Sequence, residues 1–444
     1  MRKMTRRQFI AGGMMLVAAL MSGCANPFDN FSQPMENEEN DRRPPVRHPR
    51  DRPNLLFVFF DDAGYGDFGV YGNRQIRTPV IDRIAQNGVK FTQMYSAAPV
   101  CSPSRAALLT GRYAQKVGIP DVLGPKAKKG IGDGEKTLAE YLKELGYVSA
   151  MIGKWHLGSL PQFFPTRHGF DRFYGVLYSN DMEPFDLYED ERILQPDVDK
   201  SKLGEWYSDE AIRFIETHKD RPFFIYLAHT YPHDPQTPPR EFAGKSPGGK
   251  YGDALESADY HLGRVIDALK KHNLLDNTII MVSSDHGPGR LGSTGGLRGR
   301  KFDVYEGGIR VPFVAQWNTV IPPGTVTHEV ASLMDIVPTI VSLAGGTVDG
   351  NAVDGKNIFP LLLGQGSSPH EELYFYYRHS LNAVRSGRWK LHIAKGKEGD
   401  TTGMPELYDL DADPRETTNL AAQHPDLVQT LTAKMRAFDQ KVRS

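Results

Sequence analysis

The chain has 444 residues and a formal net charge of -1. This length suffices for one large domain and a smaller one, and the charge gives no electrostatic argument for binding nucleic acid or an anionic membrane surface. Each of the two cysteines, Cys24 and Cys101, lies in a recognisable processing motif, so no pair is left for a structural disulfide.

The N-terminal 52 residues are predicted to lie outside the folded part of the chain. Residues 5–10 resemble a twin-arginine export motif, and the apolar run at residues 9–21 is too short to span a bilayer comfortably. Residues 20–24 resemble a lipoprotein cleavage box in which Cys24 receives the lipid. A membrane anchor helix is the alternative, which Pro27 and several glycines disfavour. We therefore expect export to the periplasm or cell surface, with a membrane tether through Cys24.

From residue 53 onward, strand-like and helix-like segments alternate. Residues 55–60 form a continuous apolar run, as expected for a strand buried on both faces. Thr78 caps a helix with Pro79 at its first position and Gly88 just past its end. The alternation predicts an α/β fold with a largely parallel sheet between helices. The other expected elements are a helix at 137–145, strands at 148–152, 223–228 and 278–282, and a helix with Leu255, Ala258, Leu262, Val265, Ile266 and Leu269 on its core face.

The C-terminal segment is predicted to form a smaller unit. Strand-like runs at 372–377, 383–385, 389–393 and 406–410 are separated by turn residues, and a final helix begins near Pro425. We interpret the aromatic residues 374–377 as core packing, with a sugar-stacking surface as the alternative. The expected divisions are a signal peptide at 1–23, a flexible tether at 24–52, a catalytic domain at 53–365 and a C-terminal α+β subdomain at 366–444.

Polar side chains directly follow four of the predicted strands. They are Asp61 and Asp62, Lys154 and His156, His229 and His233, and Asp285 and His286. Because open α/β sheets bind ligands at the carboxyl ends of their strands, we expect these side chains to converge on one site. Ordinary turn and capping chemistry is the alternative for each pair taken alone.

Residues 101–112 carry the most specific pattern in the chain. Their sequence, CSPSRAALLTGR, is similar to the C-x-P-S-R-x-x-x-L-T-G motif of formylglycine-dependent sulfatases. For the first five residues alone, the alternative is a buried cysteine in a proline-kinked turn, followed by a helix starting near Ser104. The strand-end clusters also resemble sulfatase blocks, and the resemblance runs from Pro53 to the C-terminus. It implies an alkaline-phosphatase-like fold with a small C-terminal antiparallel sheet, and a maturation enzyme that oxidises Cys101 to formylglycine.

The resemblance also implies a divalent cation, which is usually calcium in this family. Asp61 and Asp62 match the metal-binding aspartate pair, while Asp285 and His286 match the other two protein ligands. An oxygen of the modified Cys101 completes the set. Carboxylate oxygens suit a hard cation such as calcium. His286 departs from the usual pattern, since many relatives carry asparagine there and imidazole is a less natural calcium ligand.

The same resemblance assigns roles around the sulfate. Lys154 and Lys301 would contact it, and His233 would contact the sulfate and the leaving-group oxygen. Arg105, one helical turn after Cys101, would position the nucleophile and the metal ligands. Anionic substrates with poor leaving groups require such positive charge and proton transfer.

One further histidine carries the release step in the family. His156 would deprotonate the spare hydroxyl of the hydrated aldehyde, so that sulfate leaves and the aldehyde reforms. We interpret His229 as structural, and Glu306 with Arg310 as a structural ion pair. These assignments follow from the resemblance and from the position of each residue in its block.

The substrate is indicated only by class. Residues 178–182 are similar to the branch that holds arylsulfatase A and N-acetylgalactosamine-6-sulfatase, so a sulfated carbohydrate or an aryl sulfate ester is expected. Three alternatives stay open. They are a phosphate or phosphonate ester hydrolase of the same superfamily, a non-catalytic surface lipoprotein that binds sulfated glycans, and a thiol hydrolase that uses Cys101.

Overall fold

The computed structural model describes residues 52–443. The predicted signal peptide, Cys24 and nearly all of the tether therefore lie outside the described residues. Between residues 52 and 443, no helix combines the length and the apolar character needed to cross a membrane.

A ten-stranded, mostly parallel sheet forms the centre of the fold. Its strands are β1 (Asn54–Phe60), β2 (Val89–Tyr95), β3 (Val148–Lys154), β4 (Arg172–Val176), β5 (Leu187–Glu189), β6 (Arg192–Gln195), β7 (Phe223–Ala228), β8 (Thr278–Ser284), β9 (Arg310–Gln316) and β10 (Thr325–Ser332). Their order is β10-β2-β9-β8-β1-β7-β3-β4-β5-β6. Strands β8, β1, β7, β3 and β4 are mutually parallel, whereas β9 and β5 run antiparallel to their neighbours. The predicted fold class is confirmed.

Helices cover both faces of this sheet. The main ones are α1 (Pro79–Gln86), α2 (Cys101–Thr110), α3 (Leu138–Glu144), α4 (Leu203–His218), α5 (Gly249–Lys271), α6 (Glu306–Ile309), α7 (Ile336–Leu343) and α8 (Phe359–Leu362). Alternate residues of β1 enter two different cores. Leu55, Phe57 and Phe59 pack with α2, α3 and α7, while Leu56, Val58 and Phe60 pack with α1, α4 and α5. This explains why β1 reads as continuously apolar.

Helix boundaries follow local chemistry at α2 and α3. Thr137 caps α3 in a capping box, in which its hydroxyl accepts from Glu140 N and Glu140 Oε2 accepts from Thr137 N. The alternative of a proline-kinked turn followed by a helix starting near Ser104 does not hold, because α2 begins at Cys101 itself. Pro103 is accommodated there because the first turn of a helix needs no backbone donor.

The C-terminal residues form the predicted second sheet. It is antiparallel, with the order β11 (Glu372–Tyr377), β12 (Ser380–Ser386), β13 (Trp389–His392) and β14 (Glu406–Asp409), and α9 (Pro425–Arg443) packs against it. Phe375 and Tyr376 are buried, and the Tyr374 ring stacks on Phe438 of α9 with centroids 3.8 Å apart. The core-packing interpretation of this aromatic run is confirmed.

A buried ion-pair cluster joins the two sheets. Lys390 Nζ of β13 lies 2.9 Å from Glu306 Oε1 and 3.1 Å from Glu416 Oε1, and all three side chains are fully buried. Arg310 Nη1 lies 3.3 Å from Glu306 Oε2, so the structural interpretation of that pair is confirmed. Burial alone would raise the pKa of Glu306, but Lys390 and Arg310 outweigh it and lower the pKa to about 2.

Replacing Lys390 with methionine is expected to destabilise the protein by about 3–5 kcal/mol at neutral pH, because it leaves buried carboxylates without their ammonium. The pKa of Glu306 is lowered in the folded state, so its stabilisation is full above its ordinary pKa near 4.5 and disappears as the pH falls toward 2. The difference between variant and wild type should therefore shrink on acidification. Urea unfolding at pH 7 and pH 4 measures it, with exposed Lys129→Met as control. An equal loss at both pH values would contradict this account.

Candidate active site

Four neighbouring parallel strands end at the same edge of the sheet and bring the predicted site residues together. Asp61 and Asp62 follow β1, Lys154 ends β3, His233 follows β7, and Asp285 and His286 follow β8. The predicted convergence of these clusters is therefore observed, with Cys101 at its centre. Among the predicted site residues Lys301 has the largest exposed side-chain fraction, 11%, against 7% for Asp62 and for His233.

Cys101 is the first residue of α2, where the positive end of the helix dipole lies. Its side chain is buried, and Sγ lies 3.3 Å from His286 Nε2. Burial raises the pKa of the Cys101 thiol, despite the nearby Lys154 and Lys301. Burial thus favours the thiol form over the thiolate that a thiol hydrolase would use.

A set of carboxylate, imidazole and sulfur groups surrounds this position. Ligand atoms of Asp61, Cys101, Asp285 and His286 lie within 4.8 Å of one another, and Asp62 forms a second such group with Cys101 and His233. Asp61 Oδ1 accepts no hydrogen bond from any described residue. Buried carboxylates with spare acceptor capacity are what a hard divalent cation requires, so the residues present fit the implied ion.

His286 is oriented as a ligand would be. Its Nδ1 lies 2.8 Å from Gly287 O, so with Nδ1–H donating to that carbonyl, Nε2 carries the lone pair. Nε2 lies 3.5 Å from both Asp62 Oδ1 and Asp285 Oδ1. Burial lowers the pKa of His286, which favours the neutral imidazole that can coordinate a metal.

Two fully buried cations face the aspartates. Arg105 Nη2 lies 3.4 Å from Asp61 Oδ1 and 3.0 Å from Asp285 Oδ2, and Lys154 Nζ lies 2.6 Å from Asp61 Oδ2. Burial would raise the pKa of Asp61, but Lys154, His233 and Arg105 hold it well below its usual range. Asp61 is therefore a carboxylate at neutral pH.

Lys301 and His233 lie on the outer side of the cluster. Lys301 Nζ is 2.7 Å from Asp62 Oδ1 and 3.1 Å from His233 Nε2. Burial would lower the pKa of Lys301, but the carboxylates of Asp62 and Asp61 outweigh it and raise the pKa. Both lysines that were expected to contact sulfate thus meet an aspartate of the expected metal-binding pair.

His156 has the geometry of a neutral base. Its Nε2 lies 2.9 Å from Leu123 O, and Nδ1 has no hydrogen-bond partner among residues 52–443. Burial lowers its pKa well below the usual value, and Lys154 and Arg105 lower it further. With Nε2–H donating to the carbonyl, Nδ1 keeps a lone pair that can take a proton.

The backbone around Lys154 is unusually tight. Gly153 has φ +109°, and a Cβ at this position would lie 1.9 Å from Ala228 O of the neighbouring strand β7. Only glycine allows β3 and β7 to approach so closely here. Lys154 and His156 therefore leave the sheet edge in a fixed direction.

Some contacts at the site were not predicted. Ser104 Oγ donates to Asp285 O, and Asn180 Nδ2 donates to Thr230 O at 3.2 Å and to His233 O at 3.4 Å. Ser104 lies within the cysteine motif, which was the available signal for it. His229 stacks on Phe60 with centroids 5.3 Å apart, which fits its structural interpretation.

Two protein-family descriptions match this chain, and together they include the strands of both sheets. The family description "Sulfatase" matches residues 53–346, and "N-sulphoglucosamine sulphohydrolase, C-terminal" matches residues 297–441. The chain is 37% identical to arylsulfatase A of Homo sapiens over 437 residues, which cover 85% of this chain and 86% of the relative. It is also 37% identical to N-acetylgalactosamine-6-sulfatase of Homo sapiens over 373 residues, covering 77% of this chain and 71% of that protein.

The same similarity extends to solved structures. Ps i-CgsB in complex with k-i-k-neocarrahexaose superposes with a TM-score of 0.80 at 28% identity, covering 88% of this chain and 93% of that one. The resemblance inferred from the cysteine motif and the strand-end blocks is therefore confirmed at the level of the family.

Proposed function

Because this chain belongs to the sulfatase family, we propose that it releases sulfate from a sulfated carbohydrate through a formylglycine formed at Cys101, beside a divalent cation taken to be calcium. Sulfate ester hydrolysis is the family's activity. The observation that carries the proposal is the position of Cys101 at the start of α2, among Asp61, Asp285 and His286. A carbohydrate substrate is supported by the similarity to N-acetylgalactosamine-6-sulfatase and to a structure that holds k-i-k-neocarrahexaose.

The first half-reaction uses the modified side chain as nucleophile. With an external oxidant, a maturation enzyme oxidises the Cβ carbon of Cys101 to an aldehyde, and the sulfur departs as sulfide. The aldehyde adds water and then carries two hydroxyls on one carbon. One hydroxyl gives up its proton and its oxygen attacks sulfur. The bond from sulfur to the sugar oxygen breaks, and the sugar oxygen takes a proton, so the number of protons is unchanged. His233 lies next to Lys301 on the outer side of the site and is assigned to this leaving oxygen.

The second half-reaction explains why a cysteine is needed rather than a serine. The remaining hydroxyl gives its proton to His156 Nδ1, the carbon–oxygen bond to sulfate breaks, and the aldehyde reforms. A sulfated serine would instead require water to attack an anionic sulfur centre, which is slow. One positioned base thus replaces a difficult hydrolysis.

The remaining residues bind charge. Asp61, Asp62, Asp285 and His286 would hold the cation, which when bound supplies positive charge next to the nucleophile and the sulfate. Lys154 and Lys301 bind sulfate oxygens. Arg105 is fully buried between Asp61 and Asp285, so it positions these carboxylates rather than touching the substrate.

Replacing His156 with alanine is expected to lower kcat by about 10²- to 10⁴-fold, because the second half-reaction loses its base. One equivalent of desulfated sugar should then appear rapidly and stop, with sulfate retained on residue 101. Rapid-quench assays of both products and mass spectrometry of that peptide measure this. Exposed His328→Ala serves as the control. Slow release of both products without a burst would contradict the assignment of His156.

The proposed activity is tested by comparing sulfate esters with phosphate esters that share the same leaving group. We expect free sulfate from a panel of sulfated mono- and oligosaccharides, and much slower turnover of the matched phosphate monoester and diester. Comparable or faster phosphate or phosphonate ester hydrolysis would favour that alternative. Binding of sulfated glycans without turnover, in protein shown to carry the aldehyde, would favour a non-catalytic binding protein.

Export forms part of the same proposal and is supported by the N-terminal sequence alone. We expect the mature chain to begin at a lipidated Cys24 and to act at the periplasm or cell surface. Mass spectrometry of the N-terminal peptide tests this, and a Cys24→Ser variant should be released from the membrane fraction. An unprocessed N-terminus in active protein would contradict it.

A further inference from the structure

An exposed aromatic ring borders Lys301, the most exposed of the predicted site residues. Phe302 directly follows Lys301 and has 50% of its surface exposed. The Lys301 ammonium lies 5.7 Å from the centre of the Phe302 ring and 2.7 Å from Asp62 Oδ1. The ring therefore stands next to the ammonium that we assign to sulfate binding.

The backbone of Phe302 is fixed from both sides of the site. Phe302 N donates to Pro99 O at 3.0 Å, two residues before Cys101, and Lys301 N donates to Pro288 O at 3.0 Å, two residues after His286. Phe302 has φ +79°, a left-handed conformation that is costly for a residue with a large side chain. Glycine would adopt it without strain.

Core packing does not account for this bulky residue. Phe302 belongs to none of the buried apolar clusters formed by residues 52–443. Its neighbour is Tyr377, whose ring centroid lies 6.2 Å away at a 38° angle, and Tyr377 is itself part of a buried cluster. Arg378 pairs with Asp121 at 2.7 Å, which holds the end of that strand. The C-terminal sheet thus supports one side of an otherwise exposed ring.

We propose that Phe302 is the platform on which the sugar ring of the sulfate ester stacks. The predicted site residues with the largest exposed side-chain fractions, Lys301, His233 and Asp62, lie together, and a leaving group that extends outward past Lys301 reaches Phe302. The electron-rich face of an aromatic ring attracts the C–H groups on the apolar face of a pyranose. This inference rests on the proposed sulfatase activity and specifies its substrate as a pyranose sulfate.

The Phe302→Gly variant tests the platform, because glycine removes the ring and relieves the left-handed strain. We expect KM for a sulfated pyranoside to rise about 10-fold or more, since stacking contributes to binding at this level. The inhibition constant of inorganic sulfate should stay within about 2-fold, because the ring does not touch the sulfate. Phe302→Trp should keep KM near the wild-type value. Ile193→Ala, on β6 and equally exposed, is the matched control.

The outcomes separate this inference from the proposed function. An unchanged KM in Phe302→Gly, with an active wild type, would overturn the platform. Equal rises in KM and in the inhibition constant of sulfate would also overturn it, because the change would then act through Lys301. A wild type that carries the aldehyde but hydrolyses no sulfate ester would instead overturn the proposed function. Melting curves of each variant confirm that it is folded.

Discussion

Replacing Cys101 with alanine is expected to abolish sulfate release while leaving the protein folded. Loss of a covalent nucleophile lowers kcat by about 10⁴- to 10⁶-fold. The substitution removes one buried sulfur atom from the first turn of α2, so the stability loss should be only about 1 kcal/mol. Sulfate release from the best substrate and thermal melting measure the two effects separately.

The Cys101→Ser variant is the sharper companion. A serine hydroxyl offers an oxygen for the first half-reaction but no second hydroxyl for the release step. We therefore expect at most one sulfate transferred per enzyme molecule, retained on residue 101. Mass spectrometry of the wild-type peptide should show an aldehyde. Wild-type activity in Cys101→Ala, or fully active protein that carries only a thiol, would rule out the mechanism.

The site could be located from the sequence because the strands that lead to it have a recognisable pattern. Strands β1, β3, β7 and β8 are short, apolar and buried on both faces, and each is followed at once by polar groups. In a parallel sheet such groups must meet at one edge. What the pattern could not supply is the order of the strands, including β9 inserted antiparallel between β8 and β2.

Contacts between distant positions escaped the sequence argument. Lys390 reaches Glu306 across 84 positions, and nothing local distinguishes it from a surface lysine. His156 is held by the backbone carbonyl of Leu123, and a backbone contact cannot be predicted from the type of residue at position 123. Phe302 lies in the segment 300–312, whose sequence interpretation rests on Lys301 and Glu306. The sequence alone does not indicate that the Phe302 ring is exposed.

The start of α2 decides between the two interpretations of the cysteine motif. The alternative placed Cys101 in a proline-kinked turn, with the helix beginning near Ser104. The backbone N–H groups of the first three helical residues have no intrahelical acceptor. Proline at the third position therefore costs no hydrogen bond and fits within the first turn. This helix start matters for function. It makes Cys101 the first residue of α2 and places Arg105 about one turn further along the same helix.

Chelating divalent cations is expected to stop sulfate release without unfolding the protein. Three carboxylates, those of Asp61, Asp62 and Asp285, face three cationic side chains, Arg105, Lys154 and Lys301. These charges balance, so an anionic sulfate ester gains little from them. A divalent cation makes the site net positive, which is worth several kcal/mol, or about 10³-fold in rate. Sulfate release and melting before and after chelation, then with added calcium or magnesium, measure this.

The Asp61→Asn variant separates the cation from the carboxylate. Lys154 Nζ lies 2.6 Å from Asp61 Oδ2 with both side chains fully buried, so a neutral amide leaves a buried ammonium uncompensated. This should cost about 3–5 kcal/mol of stability in addition to the activity. Chelation leaves that pair intact and removes only the stabilisation that cation binding adds, so the chelated wild type should still melt above Asp61→Asn. Exposed Asp267→Asn should melt like the wild type. Full activity in protein shown to be metal-free would mean that the aspartates serve only to balance the lysines and Arg105.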